Sequence, residues 1–264
     1  NNENVIFPEG CKAIIDVTKA PWFVDNTGKE DCTEKLIQIF DSLFVDVISG
    51  MKKTYEVLCS SKPGTKTSWE NRVTDTGIVR AIFPWAHVQQ PVMYFPNGTY
   101  LVSDTITYTH LDLHNMLYYY AAGGMELSRC IRFVGQNRDK TIIKLKDNCK
   151  GFQFGQERPV IKFMNGERSN VGMNNFIENL TIDVGSGNPG AVGISFFANN
   201  SGCVRNVLVK SSDPEYLGHA GIVIEKETCS SGNIYDTEIV GFEYGIKNDI
   251  FRTVNHYENI TLKN

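Results

Sequence analysis

Three short segments repeat a glycine ahead of strand-forming residues: Gly193-Ile194-Ser195-Phe196, Gly221-Ile222-Val223-Ile224 and Gly245-Ile246-Lys247. Alternation along such strands turns Ile194, Phe196, Ile222, Ile224 and Ile246 to one side. Ser195, Val223, Glu225, Lys247 and Asp249 turn to the other. The stretch before the second segment adds Asp213, Glu215, Tyr216 and His219. One face thus gathers carboxylates, an imidazole and an ammonium group, the components of general acid–base chemistry. Two carboxyl groups, one protonated and one ionised, suit cleavage of a glycosidic bond. Their separation, about 5 Å or roughly 6.5–9.5 Å, decides retention or inversion. Glu225 and Asp249 are the predicted catalytic pair, with Asp213 as substitute, because neighbouring strands lie only about 4.8 Å apart. His219, close to glycines on both sides, suits proton transfer. Lys247, Asp213, Tyr216 and Ser195 are placed as substrate-binding residues.

Each assignment has a plainer counterpart. The acids can be solvated surface groups, and His219 a hydrogen-bonded loop histidine. A lyase reading needs a base beside a uronate α-carbon and a cation for the developing charge, which Lys247, Lys210 or Arg205 could supply. Ca²⁺ enters only under that reading. With no dense acidic cluster in the sequence, no metal site is predicted. His110 and His114 are four residues apart, but Leu111-Asp112-Leu113 alternates like a strand, which argues against a helical metal pair. Trp69, Trp85 and Tyr118-Tyr119-Tyr120 are either sugar-stacking platforms or anchors for the segments that carry them.

The architecture that must carry these groups is announced by a longer repeat. Phe176-Ile177-Glu178-Asn179-Leu180-Thr181-Ile182 aligns with Cys203-Val204-Arg205-Asn206-Val207-Leu208-Val209. Asn233 to Ile239 and His256 to Leu262 follow the same template. The Asn/Asp column stands at 179, 206, 236 and 259, intervals of 27, 30 and 23 residues, which is solenoid spacing. Short strands without a helical period point to a parallel β-helix. Ile177, Leu180, Ile182, Val204, Val207 and Val209 are then inward. Asn tolerates left-handed backbone at a sharp bend, and stacked amides can hydrogen-bond from coil to coil, so Asn179, Asn206, Asp236 and Asn259 are read as structural.

The N-terminal part differs. Ile14 to Val17 reads as a strand and Asp25 to Gly28 as a turn. The run Lys35 to Ile48 reads as an amphipathic helix, N-capped by Asp31 or Thr33 and covering the open first coil. Val92 to Phe95, the turn Pro96-Asn97-Gly98 and Thr99 to Val102 form a strand–turn–strand unit. Residues 49–90 and 110–129 read as inserted excursions. The fold class is therefore all-β, a right-handed parallel β-helix with an N-terminal capping helix, in one domain over 1–264. Asn264 falls mid-coil without the cap that terminal repeats need, so the chain is read as the first part of a longer protein.

With 26 basic and 30 acidic residues the net charge is −4, and no basic stripe is present, so nucleic acid is not an expected partner. No stretch approaches the roughly 18 apolar residues of a membrane span. The 7 cysteines form no C-x-x-C pair and read mainly as small buried hydrophobes, with a Cys11–Cys32 disulfide as the lesser alternative. Oligomeric state is not legible.

The segments Asp25 to Phe40, Tyr94 to Val102, Asn179-Leu180-Thr181-Ile182-Asp183, Gly187-Asn188-Pro189-Gly190-Ala191, Ala198-Asn199-Asn200 and Gly241-Phe242-Glu243-Tyr244-Gly245-Ile246 together resemble the pectate-lyase-like superfamily. Within it they are most similar to the rhamnogalacturonase/epimerase-like "pectate lyase 3" group, also described as glycosyl hydrolase family 28-related, and to bacterial members of it. The resemblance implies a right-handed parallel β-helix and a secreted or periplasmic carbohydrate-active protein with a polysaccharide partner. The Asn-Thr-Asp, Asp-Asp, Gly-His-Gly and Arg-Ile-Lys motifs of polygalacturonases are missing, and Gly218-His219-Ala220-Gly221 is a loose echo of the third. One fold hosts several reactions. The expected function is glycosidic-bond cleavage in a polysaccharide, hydrolase ahead of uronate lyase. The alternative is a non-catalytic glycan-binding or adhesin-like β-helix.

Overall fold

The computed structural model describes residues 7, 14–42, 92–107, 131–163, 175–198, 202–224, 232–248 and 255–264. Strands among them wind into a right-handed parallel β-helix with three faces. The first face stacks β1 (Ile14–Asp16), β3 (Val92–Phe95), β5 (Arg132–Gly135), β8 (Phe176–Glu178) and β11 (Cys203–Arg205). The second stacks β2 (Thr27–Asp31), β4 (Gly98–Val102), β6 (Thr141–Leu145), β9 (Thr181–Asp183) and β12 (Leu208–Lys210). The third holds β7 (Arg158–Lys162), β10 (Ala191–Phe196), β13 (Ala220–Ile224) and β15 (Tyr244–Asn248). Two longer strands, β14 (Asn233–Val240) and β16 (His256–Lys263), turn the corner between the first two faces without a break.

That corner is where the asparagine column sits. Asn179, Asn206, Asp236 and Asn259 have φ of 59°, 52°, 47° and 53°, the left-handed geometry the sequence implied. Asn206 Nδ2 donates to Asn179 Oδ1 at 2.9 Å, and Asn259 Nδ2 donates to Asp236 Oδ1 at 2.7 Å. The predicted inward residues Ile177, Leu180, Ile182, Val204, Val207 and Val209 are all fully buried. Burying each such aliphatic side chain contributes roughly 1.5–3 kcal/mol, so the hydrophobic column, more than the amide ladder, holds the coils together.

The Gly-Ile strands need their glycines for a reason alternation alone does not show. A Cβ on Gly193 would lie 2.3 Å from Val209 Cγ1, and one on Gly221 would lie 2.3 Å from Ile239 Cγ2. The third face presses against the second here, and only a bare backbone fits. This inward glycine shifts the pleat, so that Val192 and Ala220 join Val223 in an apolar cluster separate from the main core. Ser195 follows the same outward column but is buried, 3% exposed. Ser195, read from the sequence as an outward substrate-binding residue, therefore has little exposed surface.

At the N-terminal end, residues 33–42 are helical, and Leu36, Ile39 and Phe40 are buried in the core, with the Phe40 ring 5.7 Å from that of Phe133. The helix thus covers the interior of the first coils. Of the two proposed caps, Asp31 does the work: its Oδ1 accepts from Thr33 N at 3.0 Å and from Thr33 Oγ1 at 2.6 Å. The predicted strand–turn–strand at Val92 to Val102 is present, and its turn is a corner of the coil, since β3 and β4 pair with neighbouring coils and not with each other. Two other sequence readings need adjustment. The predicted turn at Asp25–Gly28 runs straight into β2, which starts at Thr27; Asp25 Oδ2 accepts from the Lys29 and Glu30 amides. Cys32 carries a free, buried thiol rather than a disulfide, donating to the Asp25 carbonyl at 3.0 Å, and burial pushes its pKa up to about 11. The excursions 49–90 and 110–129, with Trp69, Trp85, His110, His114 and Tyr118–Tyr120, lie outside the described residues, as do Cys11 and the rest of the predicted helix.

Candidate functional site

The chemistry-bearing residues meet on the outer side of the third face. His219 sits immediately before β13, where its amide donates to Ala191 O at 2.9 Å and its carbonyl accepts from Tyr244 N at 3.0 Å. These ladder bonds hold the backbone at His219, and its ring lies between two carboxylates. Nδ1 faces Glu243 Oε2 at 3.2 Å, and Nε2 faces Glu157 Oε1 at 3.2 Å. Lys247 Nζ approaches the same Nε2 at 3.2 Å and pairs with Glu157 Oε2 at 3.1 Å. Tyr244 completes the group, its ring 5.4 Å from the imidazole and 5.5 Å from the lysine ammonium. The His219 side chain is 14% exposed, against 54% for Glu157 and 62% for Glu243. A sheltered imidazole therefore lies between two accessible acids.

Register explains how residues so far apart converge. The strand order is β15, β13, β10, β7, so Glu157, just before β7, and Lys247, on β15, reach toward each other across two strands. In register, Val223 and Ser195 lie between Lys247 and β7, and Val192, Ala220 and Val223 form a small buried apolar cluster on these strands.

The arrangement admits two proton distributions. With a neutral ring, Nδ1–H donates to Glu243 and Nε2 accepts from the Lys247 ammonium. With an imidazolium, both ring N–H groups donate to carboxylates. Glu243 is the acceptor in either case and so orients the ring. Moving a proton between Nε2 and its surroundings changes only which of Glu157 and Lys247 faces it.

Among the predicted site residues, the structure brings together His219 and Lys247. It gives Asp213 a different task. This buried carboxylate accepts from Gly187 N at 2.7 Å, Ser186 Oγ at 3.0 Å and Glu215 N at 2.8 Å, which ties the loop before β13 to the loop before β10 and holds its pKa below the usual range. Its oxygens thus accept from two backbone amides and the Ser186 hydroxyl, at a residue the sequence reading assigned to substrate. Tyr216 is exposed on the same loop. Glu225 and Asp249 lie outside the described residues, although they follow β13 and β15 closely in sequence. Arg205 and Lys210, the alternative lyase cations, are on other faces: Arg205 pairs with Glu178 on the first, Lys210 with Asp183 on the second. Glu157 and Glu243 were not among the predicted site residues. Glu243 stands inside Gly241-Phe242-Glu243-Tyr244-Gly245 and could have been found from the repeated strand start. Glu157 precedes a strand, Arg158–Lys162, that lacks the Gly-Ile signal, so only the pairing of β7 with β10 reveals it.

A family model described as rhamnogalacturonase A/epimerase, pectate lyase-like matches residues 73–264. Among solved structures, a protein described as ORF18 of Geobacillus virus E2 is similar at 14% identity and a TM-score of 0.42. The similarity covers 94% of this chain, which spans 41% of that protein's length. No curated protein matches.

Proposed function

The chain belongs to the rhamnogalacturonase A/epimerase, pectate lyase-like family, and on that premise we propose that it is an enzyme that cleaves glycosidic bonds in a polysaccharide, by hydrolysis. Membership supports a carbohydrate-active role. The observation that carries the finer reading is His219 held between Glu157 and Glu243 with Lys247 alongside. The two carboxylates touch opposite nitrogens of one imidazole, so two accessible acids are joined through one ring that can pass protons between them. One acid would protonate the leaving oxygen while the other activates water, with His219 returning protons between turnovers. Glu225 and Asp249 remain candidates for a second carboxylate on the same face by strand alternation.

The lyase alternative assigns Lys247 as base and would add Ca²⁺. Among the described residues no three His, Cys, Asp or Glu side chains gather as a metal site, so no step is drawn through an ion. A binding-only β-helix is favoured by the exposed rings of Phe154, Tyr216 and Tyr244 near the same edge. Export to the cell exterior or periplasm belongs to the proposal, since that is where polymeric substrates are met.

The test is a product assay on polygalacturonate, rhamnogalacturonan and β-glucan, read by mass spectrometry. Saturated, hydrated ends are expected, with turnover falling about 10²-fold or more in His219→Ala and Glu243→Gln. Unsaturated ends would replace the hydrolase with the lyase. Binding without products would leave the glycan-binding reading.

A further inference from the structure

The loops that lead into the third face stack coil on coil, and their heights differ. The loop before β7 is exposed from Gln153 to Glu157 and carries Phe154, 89% exposed. The next, residues 184–190, is tucked down. Asn188 is fully buried, and a Cβ on Gly190 would lie 2.2 Å from Gln153 O and 2.5 Å from Gln156 O. A Cβ on Gly187 would lie 2.2 Å from Asn148 Oδ1. The loop before β13 rises again, with Pro214, Glu215, Tyr216 and Leu217 exposed. Two ridges therefore flank a glycine-rich floor, two strand spacings or about 10 Å apart. Phe154 precedes Glu157 by three residues and Tyr216 precedes His219 by three, so this saddle runs beside the ion cluster.

Tyr216 is held in place at a cost. Its φ is 56°, a left-handed conformation that disfavours a tyrosine, and its amide donates to Asp213 O at 3.0 Å. The ring rests on Gly241: a Cβ there would fall 2.9 Å from Tyr216 Cδ1. The residue is nevertheless 53% exposed. Strained, seated and open to solvent, this ring is presented rather than packed, and Phe154 contributes nothing to the core.

We propose that Phe154 and Tyr216 form a stacking clamp that takes one pyranose ring of a glycan chain over the floor of residues 185–190, delivering the adjoining sugar to His219. The inference rests on the carbohydrate reading above. The ligand class follows from the walls: sugars with a C–H-rich face stack on aromatic rings, whose apolar area they cover. Ridges about 10 Å apart leave room for a pyranose ring between side chains that lean inward, since such a sandwich takes about 7–8 Å between aromatic planes.

Affinity electrophoresis in gels holding polygalacturonate, rhamnogalacturonan or β-glucan tests this with the full chain and three variants. Tyr216→Gly removes the ring and suits the left-handed backbone, so the fold is retained. Phe154→Ala removes the other wall, and Phe154→Trp restores it. Retardation should weaken roughly tenfold in dissociation constant for Tyr216→Gly and for Phe154→Ala, and recover in Phe154→Trp. Any cleavage should suffer through KM, with kcat held and the melting temperature unchanged. If both ring-less variants bind and cleave as the parent does, the clamp is wrong and the carbohydrate reading stands. If the parent binds none of the three polysaccharides, both fall.

Discussion

Asp236→Asn should complete the amide ladder where it is interrupted. The observed steps run from Asn206 Nδ2 to Asn179 Oδ1 and from Asn259 Nδ2 to Asp236 Oδ1. The step between them would need a donor at 236, and a carboxylate accepts but cannot donate. An asparagine there supplies Nδ2 toward Asn206 Oδ1 while its own Oδ1 still accepts from Asn259. One added hydrogen bond contributes about 0.5–1.5 kcal/mol net. The Asn259 bond loses its charge assistance, but that pair is exposed and screened by solvent, so the loss is only a few tenths of a kcal/mol on a rough scale. The backbone at 236, φ 47°, suits Asn at least as well as Asp. The sum is about 1 kcal/mol of stabilisation, or about 2–4 °C in a chain of this size. Far-UV circular dichroism melts, and urea curves with an unchanged slope, would measure it. Asn206→Asp is the opposing control, since it removes the donor to Asn179 and stacks two carboxylates on neighbouring coils. An Asp236→Asn protein no more stable than the parent would refute the reasoning, because the ladder would then be a by-product of the bend and not a contributor.

Two further outcomes follow from the same structure. Asp31 and Asp213 have pKa values held below the ordinary 3.8: Asp31, despite partial burial, by hydrogen bonds from Lys146, Ser103 and Thr33, and Asp213 first by the Gly187 amide. The unfolded chain therefore takes up these protons first, so the stability they provide is complete above about pH 4 and is lost as pH falls through the lower folded values. Melting temperature should drop steeply in that acid window, and Asp31→Asn should flatten the drop. Gly193→Ala should destabilise by about 1–3 kcal/mol, seen as a lower urea midpoint, because its methyl would meet Val209 Cγ1 at 2.3 Å; an unchanged midpoint would mean that the second and third faces can part locally.

Much of the fold could be read from spacing alone. A recurring Asn with apolar neighbours at coil-length intervals demands a bend and a buried stripe, and both are local properties of a few residues. The capping helix was legible for the same reason, from the apolar positions Leu36, Ile39 and Phe40. The Gly-Ile strands were legible as strands, but the displaced pleat at Gly193 was not, because it answers to Val209 on another face. His219 and Lys247 could be picked out as residues that alternation and loop placement bring to one side.

Their partners could not. Glu157 is far from His219 in the chain and its strand lacks the repeat, so only the stacking order β15, β13, β10, β7 brings it within 3.2 Å of the imidazole. Asp213 shows the converse: as a residue type it suited substrate, but its carboxylate accepts from the Gly187 amide of the coil below and the Glu215 amide of its own loop. Sequence by itself determined the coil, its bends and its inward residues, because those follow from local backbone preference and hydrophobic period. Which outward side chains face one another was decided by tertiary structure alone, since it depends on the register of parallel strands whose connecting loops differ in length from coil to coil.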